Sequence, residues 1–113
     1  MEMMESSEEQ EWVEGFLHET RLNDLQDRIL KQALRADGRI ERHAGEQGAW
    51  DWIRVNGEDI GGPRDRQRSL DGIAVVEALE QEQPPLVRRD SEHLYTLTAA
   101  GRSVARGRRR ASG

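Results

Sequence analysis

The chain has 113 residues, 35% of them apolar and 35% charged, which leaves room for one domain with a modest core. It contains no cysteine, which excludes disulfides and thiolate metal sites. The net charge of −5 argues against strong general nucleic-acid binding, and no apolar run approaches the roughly 18 residues of a membrane span. We therefore expect a cytoplasmic protein that does not interact with membranes.

The charge is unevenly distributed along the chain. Residues 1–20 hold seven acidic residues and no lysine or arginine, whereas ten arginines against seven acids follow from Gly61 onward. Lys31 is the only lysine. Arginine is the better residue for forked contacts with phosphate and guanine, although a GC-rich genome alone would produce the same preference. The C-terminal half is therefore mildly basic.

The N-terminal region divides into two parts. Residues 1–10 are acidic and are expected to be disordered. A short helix then follows, and its apolar stripe is a candidate dimer or partner interface. The residues of that stripe are Trp12, Val13, Phe16 and Leu17. We assign residues 11–104 to a single domain and residues 105–113 to a basic flexible tail.

A stronger helical pattern follows an interruption expected at residues 20–23. Asn23 can cap this second helix, and Gly38 is a natural stop. Its core-facing stripe consists of Leu25, Ile29, Ala33 and Ala36, widened by Leu22, Leu30 and Leu34.

Residues 39–62 carry five glycines and no consistent periodicity. We favour a short helix around residues 45–55, with Trp50 and Trp52 in the core. A strand that contains Trp52 and Val55 and precedes an Asn56-Gly57 turn is the alternative. A helical turn at residues 58–61 is also expected.

The C-terminal part reads as a helix, a hairpin and a final helix. Ser69 is expected to cap a helix over residues 70–82, which Pro84 ends. In the hairpin, a two-residue loop at Ser91-Glu92 would pair Arg88 with Tyr95 and Leu86 with Leu97. Thr98 is expected to cap the last helix.

The string L…LVRR…YTLTAAG, from Leu79 to Gly101, resembles the closing part of winged helix-turn-helix domains. Bacterial and archaeal regulators of the multiple-antibiotic-resistance and phenolic-acid regulator type share this ending. The resemblance covers residues 58–104, and residues 23–37 match the first helix of such folds. It implies a winged helix-turn-helix fold of the α+β class, mainly α with a small β-hairpin wing and preceded by an N-terminal helix. The chain departs from the pattern at Pro84-Pro85 and at the Gly-rich GEDIGGPR, which replaces the usual helix before the recognition helix.

The resemblance implies a transcriptional regulator that binds double-stranded DNA in a sequence-specific manner, with a homodimer formed through the N-terminal helix. The segment PRDRQRSLDG would then carry the recognition residues, since arginine can fork to guanine and glutamine to adenine. The wing and the last helix would add phosphate contacts. The candidate DNA-binding residues are Arg64, Arg66, Gln67, Arg68, Ser69, Arg88, Arg89, Arg102 and Arg106.

Three alternatives stand beside this hypothesis. The RDRQR cluster could be a solvated loop held by salt bridges to Asp65 and Asp71. The chain could be a winged-helix protein-interaction module that does not bind DNA, or its acidic N-terminus could fold back and inhibit DNA binding. Catalysis has little support, because His18, His43 and His93 are widely spaced; we expect no enzyme, no metal and no cofactor.

Overall fold

The structure, a computed structural model, describes residues 20–112 of the chain, with side chains up to residue 107. Three helices flank a five-stranded antiparallel sheet. Helix α1 covers residues 20–35 in the described part, α2 is Arg66–Gln81 and α3 is Ala99–Ser112. The strands are β1 Arg39–His43, β2 Trp52–Val55, β3 Glu58–Ile60, β4 Val87–Ser91 and β5 Leu94–Leu97.

The sheet has the order β3-β2-β1-β5-β4, so β3 and β4 form its two edges. Apolar side chains from every strand point to one face, where α2 packs. The buried residues of this face are Ile40, Ile53, Val55, Ile60, Val87, Tyr95 and Leu97. The core therefore lies between this face and the helices.

The prediction for α1 is confirmed over most of its length. Leu25, Ile29, Leu30 and Ala33 are buried in the core. The helix ends at residue 35, and the N–H of Gly38 donates to the carbonyl of Ala33 at 2.7 Å. The expected interruption at residues 20–23 is wrong, because these residues are helical and Asn23 is no cap. The predicted N-terminal helix and its apolar stripe lie outside the described residues.

The interpretation of residues 39–62 needs the largest correction. The favoured helix at 45–55 and the turn at 58–61 are wrong, since this region forms β1, β2 and β3. The strand alternative for Trp52–Val55 is confirmed. Asn56 and Gly57 have φ of 52° and 76°. Positive φ at both central residues suits the type I′ turn that joins two twisted strands.

Helix α2 begins earlier than expected. It starts at Arg66 with Asp65 as its N-cap, so Ser69 is not the cap, and it ends at Gln81, before Pro84. The hairpin of β4 and β5 has a loop at Glu92-His93, one residue beyond the prediction. Val87 pairs with Leu97 and Arg89 with Tyr95, and the ladder is irregular between Arg89 and Ser91. Val87 therefore takes the core position that was predicted for Leu86, which is only half-buried.

The start of α3 agrees with the prediction. The hydroxyl of Thr98 accepts from the N–H of Gly101 at 3.1 Å, as a cap does. The helix then continues to Ser112, across most of the range assigned to a basic tail.

The winged helix-turn-helix prediction is wrong. The hairpin of β4 and β5 is no isolated wing, because β5 also pairs with β1 in a continuous five-stranded sheet. The hairpin of β2 and β3 occupies the place in the chain where such a domain carries its second helix. The fold is α+β rather than mainly α.

Within the described residues, no helix is long and apolar enough to cross a membrane.

Candidate nucleic-acid interface

The segment between β3 and α2 is held in place by hydrogen bonds to its backbone. The Asp65 carboxylate accepts from the N–H of Arg68 at 3.1 Å, which caps α2. The indole N–H of Trp50 donates to the carbonyl of Gly62 at 2.9 Å. The first turn of α2 is thus fixed against the edge of the sheet formed by β3.

Ser69, a candidate DNA contact, is fully buried and lies within this anchor. Its hydroxyl accepts from the N–H of Gly62 at 2.9 Å and donates towards the carbonyls of Gly62 and Asp65, at 3.0 Å and 2.6 Å. No part of the hydroxyl is available for a base or a phosphate. Ser69 positions the neighbouring arginines.

We expect Ser69→Ala to destabilise the fold by about 2 kcal/mol, because the buried N–H of Gly62 loses its acceptor. Urea denaturation measures this loss. Ser103→Ala, at an exposed serine of α3, is the control and should stay within about 0.5 kcal/mol of the wild type. A loss of DNA affinity in folded Ser69→Ala, without loss of stability, would contradict the structural role.

The arginines that flank Ser69 are exposed. Arg64, Arg66 and Arg68 form no ion pair with any described residue, and the first turn of α2 contains no acidic residue. Gln67 is also exposed, and its amide donates to Asp71 at 2.9 Å. We call Arg64, Arg66, Gln67 and Arg68 the arginine surface.

The salt bridges of the solvated-loop alternative are not formed. Asp65 serves as the N-cap of α2 through its bond to the backbone N–H of Arg68. Asp71 is buried, and its carboxylate binds Arg21 at 3.0 Å and Gln67. Neither carboxylate neutralises the guanidinium groups of the arginine surface.

Five other arginines in the described part of the chain do form ion pairs with carboxylates. These pairs are Arg21–Asp71, Arg28–Glu58, Arg42–Asp51, Arg54–Asp59 and Arg88–Asp90. Hydrogen bonds from Arg28, Arg42 and Arg54 lower the pKa of Glu58, Asp51 and Asp59, respectively. What sets the arginine surface apart is that three exposed arginines without an ion pair to any described residue lie within five positions of the chain.

The hairpin arginines lie away from the arginine surface. Arg88 binds Asp90 at 2.8 Å, and Thr96 lowers the pKa of Asp90 by a second hydrogen bond. Arg89 lies over the ring of Tyr95, 5.5 Å from its centroid, and donates to the Ser91 carbonyl at 3.2 Å. Because β4 and β3 are opposite edges, four strand spacings of roughly 19 Å in total separate the two groups.

The arginines of α3 form a third location. Arg102 donates to the carbonyl of Asp37 at 3.1 Å, beyond the C-terminal end of α1, and Arg106 is exposed. Arg21 binds Asp71 near the other end of α1. The length of α1 therefore places Arg102 roughly 20 Å from the start of α2. Arg64, Arg66, Gln67 and Arg68 are neighbours in the chain at the start of α2, and the other candidates lie apart from them.

A cavity of about 440 Å³ lies beside Arg68, between α1 and the first turn of α2. The described residues that line it are Thr20, Arg21, Asp24, Leu25, Arg28 and Arg68. The contribution of α1 to this site was not predicted from the sequence. The spacing of Arg21, Asp24 and Arg28 at i, i+3 and i+7 places them on one helix face, but only the packing shows that this face meets α2.

Comparison with known proteins identifies no relative of this chain. No protein-family model, no curated protein and no solved structure matches the chain.

Proposed function

We propose that the protein binds double-stranded DNA through the arginine surface. The observation that supports this proposal is that three exposed arginines within five positions, Arg64, Arg66 and Arg68, form no ion pair with any described residue. Guanidinium groups form forked, charge-assisted contacts with phosphate.

The helix dipole strengthens this argument. The N-terminal end of a helix carries partial positive charge, so a cation there costs about 0.3–1 kcal/mol at an exposed site. Arg66 and Arg68 both occupy the first turn of α2, where acidic residues would favour folding. An approaching phosphate would interact favourably with both the guanidinium groups and the helix end. Because the Asp65 N-cap already places one negative charge at this helix end, the guanidinium groups would supply most of the attraction.

The net charge of −5 agrees with a small local footprint rather than a broad basic coat. Gln67 offers sequence discrimination, because a glutamine amide can pair with the edge of adenine in the major groove. Its amide donates to the buried Asp71 through a partly buried hydrogen bond, which a base contact would replace.

Arg66→Glu is expected to weaken duplex binding by about ten-fold or more, because a phosphate contact becomes a repulsion. The same change should raise the free energy of unfolding by about 1 kcal/mol, since a glutamate favours the N-terminal end of a helix. Fluorescence anisotropy with labelled random-sequence duplexes measures the first effect, and urea denaturation measures the second.

Arg35→Glu is the matched control, with the same change in net charge. Arg35 is exposed at the C-terminal end of α1, fourteen residues or roughly 21 Å along the helix from Arg21. Reversing the charge at this position should lower the free energy of unfolding by about 0.5 kcal/mol. The DNA affinity should stay within about two-fold of the wild-type value. Equal loss of binding in both variants, or no salt-dependent binding by the wild type, would reject the proposal.

A further inference from the structure

The cavity between α1 and α2 has the walls of an anion site. Arginine residues line it from both helices, Arg21 and Arg28 from α1 and Arg68 from α2. Leu25, which belongs to the core, supplies an apolar wall. Its volume of about 440 Å³ exceeds what a phosphate ion needs and lies in the range of small-molecule sites, roughly 300–1,000 Å³.

Two of the three guanidinium groups form ion pairs with acids that do not belong to the described lining of the cavity. Arg21 binds the buried Asp71, and Arg28 binds Glu58 through its Nε and Nη2 atoms. The Nη1 atom of Arg28 has no hydrogen-bond partner among the described residues. Anchored guanidinium groups lose little side-chain entropy when a ligand binds.

Arg68 is the one arginine of the described lining that forms no ion pair with a described residue, and Asp24 in the same lining offsets its charge. The charge of Arg68 contributes to the lowered pKa of Glu58, whose main cause is the hydrogen bond from Arg28. Asp24 is the one acid in the described lining and opposes an anion. Removing its charge should therefore strengthen anion binding.

We propose that this cavity binds the phosphate group of a small phosphorylated metabolite, with Arg28 and Arg68 as its main contacts. Since Arg68 also belongs to the arginine surface, a bound metabolite would compete with the DNA backbone for the same guanidinium group. The competition rests on the proposed DNA binding; the metabolite site does not.

Isothermal titration calorimetry with inorganic pyrophosphate tests the site directly. Asp24→Asn is expected to tighten pyrophosphate binding by about five-fold, because a negative charge at the lining is removed. Arg28→Gln should weaken it by about ten-fold, since a charge-assisted contact is lost. A gain of affinity cannot result from misfolding, and the exposed Arg28–Glu58 pair contributes little to stability.

Arg106→Gln is the charge-matched control for Arg28→Gln and should leave pyrophosphate affinity unchanged. No binding heat in either the wild type or Asp24→Asn would overturn the proposed site. Equal weakening in Arg28→Gln and Arg106→Gln would also overturn it, because the binding would then reflect net charge.

Anisotropy with a labelled duplex distinguishes the two sources of phosphate. Pyrophosphate should raise the apparent Kd of the wild type for the duplex. At the same pyrophosphate concentration, the rise in Kd should be much smaller for Arg28→Gln. Pyrophosphate binding without displacement of DNA would overturn the competition. If Arg28→Gln weakens duplex binding and pyrophosphate does not bind, the cavity receives only backbone phosphate and the metabolite site is rejected. Pyrophosphate binding by a protein that binds no DNA would support the site and reject the proposed function.

Discussion

Gly101→Ala is expected to lower the free energy of unfolding by about 3 kcal/mol, at the upper end of overpacking effects. A Cβ atom at this position would lie 1.9 Å from the carbonyl oxygen of Leu86. That backbone segment cannot yield easily, because the Leu86 N–H donates to Leu79 at 2.9 Å and its carbonyl accepts from Thr98 at 3.1 Å. Helix α3 would have to move away from the segment before β4. Urea denaturation measures the loss.

Gly107→Ala is the matched control, with the same substitution in the same helix. A Cβ atom at Gly107 would meet no other atom within 4 Å. Alanine is the better helix former, so this variant should gain about 0.5–1 kcal/mol. Opposite signs at the two positions are expected. A similar small effect at both would show that α3 does not pack closely against Leu86.

Replacing Arg64, Arg66 and Arg68 together by glutamine should have the largest effect on function. If each contacts one phosphate, the slope of log affinity against log salt should become shallower by about 2.7. At moderate salt we expect a loss of roughly a hundred-fold in duplex affinity. The fold should be retained, because none of the three side chains forms an ion pair with a described residue.

The charge-matched control replaces Lys31, Arg35 and Arg39 together by glutamine. These positions lie towards the C-terminal end of α1 and the start of β1, at the far end of α1 from the arginine surface. Both triple variants should be titrated with the same duplex over the same range of salt. An equal change of slope in the two would mean that net charge, rather than the arginine surface, governs binding.

The two main helices could be predicted because their signals are local. The spacing of Leu25, Ile29 and Ala33 defines the buried face of α1, and all three are in the core. The ends of the helices follow from residues near them in the chain, such as Gly38 and Thr98. The first turn of α2 was missed because Asp65 caps it four residues before the expected cap.

Strands β1 and β3 could not be predicted for a different reason. β1 places Arg42 on the same face as Ile40, so apolar and polar residues do not alternate as in a typical strand. Arg42 is tolerated there because its guanidinium binds Asp51 at 2.9 Å and the hydroxyl of Tyr95 at 3.1 Å. β3 has three residues, too few for a period to be visible. β1 also depends on pairing with β5, which is distant along the chain.

The resemblance to winged helix-turn-helix domains failed because it rested on the hairpin and its closing helix alone. The Thr98 cap and the approach of Gly101 to Leu86 explain that ending as a local packing unit. Such a unit can close more than one kind of sheet. The pairing of β5 with β1 and the insertion of β2 and β3 are decided elsewhere in the chain.

The sequence by itself determined the helices α1 and α2, the C-terminal hairpin, and the concentration of arginine before and within the first turn of α2, because these depend on neighbouring residues. Only the tertiary structure decided that Ser69 is buried, that Arg88 and Arg89 lie at the opposite edge of the sheet, and that α1 brings Arg21 and Arg28 to Arg68. These outcomes depend on which strands pair and on how a helix face is oriented. Both depend on contacts between residues far apart in the chain, whereas local periodicity shows which face of an element is buried but not which element covers it.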